Sequence, residues 1–294
     1  LETRRFKFVP YIFQSESEVF LSTHKVDTSP ELPAKKEATD IAEQDLQEND
    51  DGTVTDSYGY TDDDGDGVVK VEVHGKGFSG YMLIVWDPSQ VILGVPETWS
   101  GAGETLLDIC NRYGAIAGIN AGGFEDEGGQ GNGNQPGSAI VYEGNYFGVY
   151  SGVGVPICGI TEDGAMLIDA FSIEDCENYK IRNGSHFGPV LIWNGTPNYN
   201  FGQVSGVNPR TVIGQRADGA ILMLVIDGRQ THSLGCSYED LIDVLLDFDC
   251  IQADNMDGGS STCMAYYGEI INVPSSQNGP RRLPCAWLVM PKKS

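Results

Sequence analysis

No run of this chain is long and apolar enough to span a bilayer, and no signal-peptide pattern opens it. Basic residues are scarce, with 18 Lys and Arg against 42 Asp and Glu and a net charge of −24. That field repels a polyanionic duplex or an anionic membrane, so nucleic acid is excluded as a partner. An anionic substrate can be held only where arginines are focused in one cleft. The seven cysteines (Cys110, Cys158, Cys176, Cys236, Cys250, Cys263, Cys285) form no CxxC pair, and their odd number leaves at least one without an intrachain partner. They read mainly as buried thiols. HExxH, Walker A, GxSxG and dinucleotide fingerprints are missing. The stretch "GQGNGNQPG" lacks the preceding strand and following helix that such a fingerprint needs. The start at Leu1 rather than Met reads as the mark of a removed upstream segment. Membrane contact is expected only through such a missing N-terminal anchor.

Glycine, by contrast, is abundant, at 38 residues, and the chain is 40% hydrophobic. Many turns around a sizeable core are expected, rather than a helical bundle. Residues 1–67 are acidic and poor in apolar periodicity, and read as an arm or linker, with "FKFVPYIF" near the start apolar enough to dock. Residues 68–294 read as the folded domain. There, "VVKVEV", "YMLIVW", "AIAGIN", "SAIVY", "PVLIW", "RTVIGQ", "AILMLVI", "CIQAD", "TCMAYY" and "CAWLVM" have strand character. Helical spacing runs from Glu104 to Tyr113, stopped by Gly114. It runs again from Ser237, a helix-capping serine, to Phe248. The fold class is α+β, with a mixed or antiparallel sheet core and few helices.

An internal echo adds to this. "LLDICNRYGAIAGINAGG" (106–123) aligns without gaps on "LIDVLLDFDCIQADNMDG" (241–258), placing Asn120 on Asn255. Upstream, "LIVWDPSQ" echoes "MLVIDGRQ", placing Asp87 on Asp227. Two pseudo-repeated halves are expected, with a cleft where the two Asn-ended strands meet.

The stretch "QADNMDGGSSTCM" (252–264) is the strongest candidate for chemistry. Asp257 is its best-placed carboxylate, and Asn255 can hold a hydroxyl or orient a water. Gly258 and Gly259 permit close approach and expose amides to anionic oxygens, and Ser260 adds a hydroxyl. The same features also suit a tight hairpin in which Asp257 caps backbone amides. The long Gly-rich loop after Asn120, which includes Gly123, reads as a wall or lid. Arg210 with Thr211, Arg229 with Asp227, and Arg282 sit at strand ends, where arginines can build a local anion pocket. His186, in "NGSHFGPVLIW", is the leading histidine candidate. Asp62, Asp64 and Asp66 have calcium-loop spacing, but the twelfth position is Val73 and no flanking helices are visible, so an acidic linker without calcium is expected. No other metal or cofactor is expected.

In this order, "GAIAGINAGGFED", "NPRTVIGQRADGAILMLVIDGRQ", "LLDFDCIQADNMDGGSSTCM" and "INVPSSQNGPRRLP" resemble the motifs of the phosphodiester glycosidase family, over residues 68 to 291. Two departures stand out. An "INGGFF"-like motif reads "INAGGFEDE", and an "NLDGGGS"-like motif reads "NMDGGSS", with Ser260 at the third Gly. The resemblance implies an extracytoplasmic hydrolase, secreted or membrane-anchored, that cleaves a sugar-1-phosphodiester or a related envelope or exopolysaccharide glycan. A phosphate leaving group needs little general-acid help. Arg210, Arg229 and Arg282, with the Gly258 and Gly259 amides, are then expected to bind phosphate. Asp257 is expected to serve as base or stabilising carboxylate. Asn120, Asn255 and Asp227 are expected to hold sugar hydroxyls or orient partners. Two other functions compete. One is a non-catalytic glycan- or teichoate-binding envelope protein using the same cleft; the other is a calcium-dependent adhesion module built on the acidic arm.

Overall fold

The computed structural model describes residues 44–99, 102–124, 132–133, 135–148, 154–201, 206–277 and 279–293. The apolar opening, the acidic stretch up to residue 43 and the acidic end of the Gly-rich loop (125–131) lie outside these residues.

Every strand pairing among the described residues is antiparallel. The central sheet has seven strands. In spatial order they are β15 (Thr196–Pro197), β14 (Val190–Trp193), β18 (Cys250–Asn255), β16 (Arg210–Arg216), β17 (Ile221–Ile226), β5 (Phe78–Val85) and β4 (Val68–Gly75). A five-stranded sheet runs β20 (Glu269–Ile270), β19 (Met264–Tyr266), β8 (Ala117–Asn120), β22 (Ala286–Val289), β6 (Val91–Gly94). Another runs β10 (Asn145–Phe147), β9 (Ile140–Tyr142), β13 (Ile181–Ser185), β11 (Val155–Thr161), β12 (Met166–Phe171). β21 (Arg282–Leu283) pairs with β7 (Glu104–Thr105). Three short helices complete the fold: α1 (Leu106–Tyr113), α2 (Ile173–Asn178) and α3 (Tyr238–Asp247).

Period-two alternation explains the layering. Leu83, Ile213, Met223 and Val225 face one way and join Ile119, Trp287, Ile140 and Ile160 of the five-stranded sheets in one core. Met82, Val212, Leu222 and Leu224 face the other way and pack under Leu241, Ile242 and Leu245 of α3. β17 is therefore buried on both faces, which is why "ILMLVI" reads as an unbroken apolar run. Each such side chain contributes about 1.5–3 kcal/mol of burial. α1 and α2 cover the outer faces of the two five-stranded sheets.

The helices begin as their capping residues dictate. Thr105, Ser172 and Ser237 each accept from the amide three residues on, and Asp108, Asp175 and Asp240 reach back. α1 stops at Gly114, in the left-handed conformation at φ 68°. α2 was not anticipated, because six residues carry too little periodicity, although "SIED" holds its capping box. In the two echoing segments, α1 leads to β8 and α3 to β18, each strand ending in Asn. The strands lie in different sheets. Asp87 caps a 3-10 turn by accepting from the Ser89 amide, and Asp227 does not share that role.

All seven cysteines are buried, and none is in a disulfide. Burial pushes the Cys110, Cys250 and Cys263 thiols up to about 12 and Cys285 to about 11.

The acidic segment differs from a free linker over its described part. β1 (Leu46–Glu48), β2 (Val54–Asp56) and β3 (Thr61–Asp62) form a small sheet. Asp56 reaches the fully buried Arg216 at 2.8 Å, with Asp218 on the same guanidinium at 2.6 Å and the Tyr58 ring 4.1 Å away. Removing Asp56 takes one of two carboxylates from this buried guanidinium and the acceptor of the Trp86 indole N–H. Asp56→Ala is expected to lower unfolding free energy by about 3 kcal/mol in urea titration.

Candidate functional site

The site begins at the end of β8. Asn120 is wholly buried, and every polar atom of its side chain is engaged. Its Oδ1 accepts from Thr211 Oγ1 at 2.8 Å and from the Cys263 amide at 3.1 Å. Its Nδ2 donates to the Asp257 carbonyl at 2.6 Å. The Asp257 amide donates to the Ala121 carbonyl at 3.0 Å. One amide side chain thus joins β8, β16 and both ends of the 257–263 loop. Asn120 and Thr211 thus hold the loop in place through these bonds.

Beyond Asp257 the loop tightens. The Gly259 amide donates to the Pro209 carbonyl at 2.9 Å, so it does not offer itself to phosphate as expected from the sequence. A Cβ at Gly258 would lie 2.8 Å from that carbonyl, and Gly259 adopts φ 65°. Ser260 is half-buried in the following 3-10 turn, Gly259–Ser261.

Asn255 faces another loop. Its Nδ2 donates to the Gly188 carbonyl at 2.7 Å, and its own carbonyl accepts from the Gly188 amide at 2.8 Å. Its Oδ1 is buried and has no hydrogen-bond partner among the described residues. His186, two residues before Gly188, sets Nδ1 at 2.8 Å from Asp254 Oδ2. Burial pushes the Asp254 carboxyl up, and the imidazole pulls it back down. The Gly123 carbonyl accepts from Gly137, and the Phe187 ring occupies the space where a Cβ would stand.

Asp227 stands across the Thr262–Asn272 connection. Its Oδ1 accepts from Asn272 Nδ2 at 3.0 Å and from the Val273 amide at 2.9 Å, and its Oδ2 lies 3.1 Å from His232 Nε2. With Glu72, His74, Tyr81 and His232 it lines a cavity of about 150 Å³.

The arginines separate. Arg210 points to the α3 side, opposite Thr211. Its guanidinium donates to the Cys236 and Gly206 carbonyls and stacks 3.9 Å over the Tyr238 ring. It holds structure and does not join the Asn120 cluster. Arg229, exposed and at φ 59°, donates to Asn208 Oδ1 at 2.9 Å, beside the Pro209 carbonyl that holds Gly259. Arg282 is exposed and donates to the Gly103 carbonyl at 2.8 Å.

Asp254, Asn272 and Ser138, which donates to the His186 carbonyl, carry no role in the sequence reading. Alternation along "QADN" would have placed Asp254 opposite Asn255. Asp62, Asp64 and Asp66 bring carboxylate oxygens within 4.8 Å of one another, the one group of three among the described residues that close. Asp62 accepts from the Gly65 and Gly67 amides, and Asp66 from the Tyr267 hydroxyl. Burial and neighbouring Asp66 push the Asp64 carboxyl up.

The family model described as phosphodiester glycosidase matches residues 113–290. The SPbeta prophage-derived uncharacterized protein YomE of Bacillus subtilis (strain 168) is 29% identical over 176 residues, 58% of this chain and 27% of that protein. The match thus spans about a quarter of that protein's length. The zebrafish N-acetylglucosamine-1-phosphodiester alpha-N-acetylglucosaminidase catalytic domain, solved auto-inhibited by its pro-peptide, is similar with a TM-score of 0.62 at 20% identity. That likeness covers 85% of this chain and 82% of the zebrafish chain. A putative exported protein of Burkholderia pseudomallei has a TM-score of 0.56 at 16% identity, covering 73% and 74%. A hypothetical protein from Synechocystis has 0.54 at 15%, covering 86% and 64%. At these identities the solved structures show a shared fold.

Asn120→Ala removes three buried hydrogen bonds and is expected to cost about 2–4 kcal/mol in denaturant unfolding. Thr211→Val removes one and is expected to cost about 1 kcal/mol.

Proposed function

The chain belongs to the phosphodiester glycosidase family, and from that premise we propose that it hydrolyses the glycosidic bond of a sugar-1-phosphodiester in an envelope or exopolysaccharide glycan. The observation that carries the proposal is Asp257. Its carboxylate is half-buried on a loop whose backbone is held at Ala121 and by Asn120. A carboxylate on a backbone held in this way can stabilise positive charge developing on the anomeric carbon with little movement of its loop. The phosphate leaves as a stable anion and needs no strong acid. Arg229, at the rim beside Asn208 and Pro209, supplies the cation for phosphate.

One observation favours a second reading, a glycan- or teichoate-binding protein. Arg210 is turned away, and the phosphate grip rests on fewer cations than the sequence suggested.

Phosphate-ester release from a panel of sugar-1-phosphodiesters separates the two. Release by the wild type, a loss of about 100-fold or more in kcat for Asp257→Asn, and a KM raised about tenfold in Arg229→Ala are the expected results. Saturable binding with no release from any sugar would move the assignment to a binding protein.

A further inference from the structure

β13 ends one residue before His186, and β18 carries Asp254 one residue before its terminal Asn255. The two side chains are 68 positions apart in the chain, and sheet packing brings them to 2.8 Å. Asp254 is fully buried, whereas the His186 side chain keeps 11% of its surface exposed. A carboxylate at Nδ1 favours the tautomer with its hydrogen there, which leaves the Nε2 lone pair as an acceptor. Among the described residues Nε2 makes no hydrogen bond. It lies 3.0 Å from where a Cβ on Gly188 would stand, so the glycine keeps that side of the ring clear.

The backbone of His186 is held as well. The His186 carbonyl accepts from Ser138 Oγ at 2.8 Å. Gly122 packs against Ser185 Oγ and the His186 carbonyl, and its neighbour Ala121 holds the Asp257 amide. The His186 backbone therefore abuts Gly122, and the Asp257 backbone is bonded to the residue before it. The Cys158 thiol, on β11, is the other titratable group against Asp254, and burial keeps it protonated.

We propose that His186 is the proton acceptor of this site, with Asp254 as the residue that orients its ring and stabilises the imidazolium. The inference rests on the phosphodiester glycosidase reading above. Water oxygen forms the new bond to the anomeric carbon. The bond from that carbon to the phosphate oxygen breaks, and its electron pair leaves with the phosphate. The proton of the water passes to Nε2 and then to solvent. Asp257 keeps the electrostatic role and takes no proton. His186 is then a catalytic residue and Asp254 a positioning residue.

The test is steady-state kinetics between about pH 5 and pH 8, the range in which imidazole titrates. The substrate is the sugar-1-phosphodiester that the wild type cleaves best. His186→Ala is expected to lose about 100-fold or more in kcat with little change in KM, and added imidazole is expected to restore part of the loss. Asp254→Asn is expected to lower kcat and to move the acid limb to lower pH, because the imidazolium loses its counter-charge. His186→Gln keeps a polar side chain of similar reach and decides the matter if His186→Ala unfolds. A folded His186→Gln protein with wild-type kcat would overturn the assignment while leaving the phosphodiester reading intact. A wild type that cleaves no phosphodiester defeats that reading, and the proton-acceptor role falls with it.

Discussion

The Asn120 side chain is the constraint on which the site depends. Apolar packing between sheets is strong but non-directional, and by itself it leaves the loops at the strand ends free to slide. Three hydrogen bonds from one buried amide remove that freedom. In a low-dielectric interior a half-satisfied amide is costly, so the set forms together or not at all. Asp257 receives its place from this arrangement, through its carbonyl from Asn120 and its amide from Ala121. The adjoining glycines then allow the chain to turn against Pro209 without a clash.

Charge is distributed with similar economy. Only 18 basic residues face 42 acids, and three arginines are used inside the fold. Arg182 donates to the Thr161, Val91 and Pro88 carbonyls, Arg210 stacks on Tyr238, and Arg216 neutralises Asp56 and Asp218. Each joins segments far apart in the chain. Among the described residues, Arg229 stands near the glycine loop and Arg281 lies 5.2 Å over the Phe124 ring, within a strongly negative protein.

Much of the fold is legible in the sequence, for physical reasons. Buried strands announce themselves as short apolar runs, and α1 and α3 by their caps. The loop from Asn255 to Ser260 stands out because few other roles need that density of Asn, Asp and Gly. Long-range pairing is not legible. Whether Arg210 or Thr211 faces the site depends on which face of β16 packs on which sheet, and the two neighbours point opposite ways. The His186–Asp254 contact and the Asp56–Arg216 clamp, 160 positions apart, follow from topology alone. Asn120 is recognisable as special, but its three bonds are visible only once those partners are in place.

Hydrogen exchange at the Asp257 and Cys263 amides tests the central claim most directly. Both amides lie in a loop, and both are bonded into the Asn120 network. If that network locks the loop to the sheets, the two amides exchange only on global unfolding, as slowly as those of β16 and β17. Exchange at the rate of an open surface loop, with the strands still protected, would contradict it.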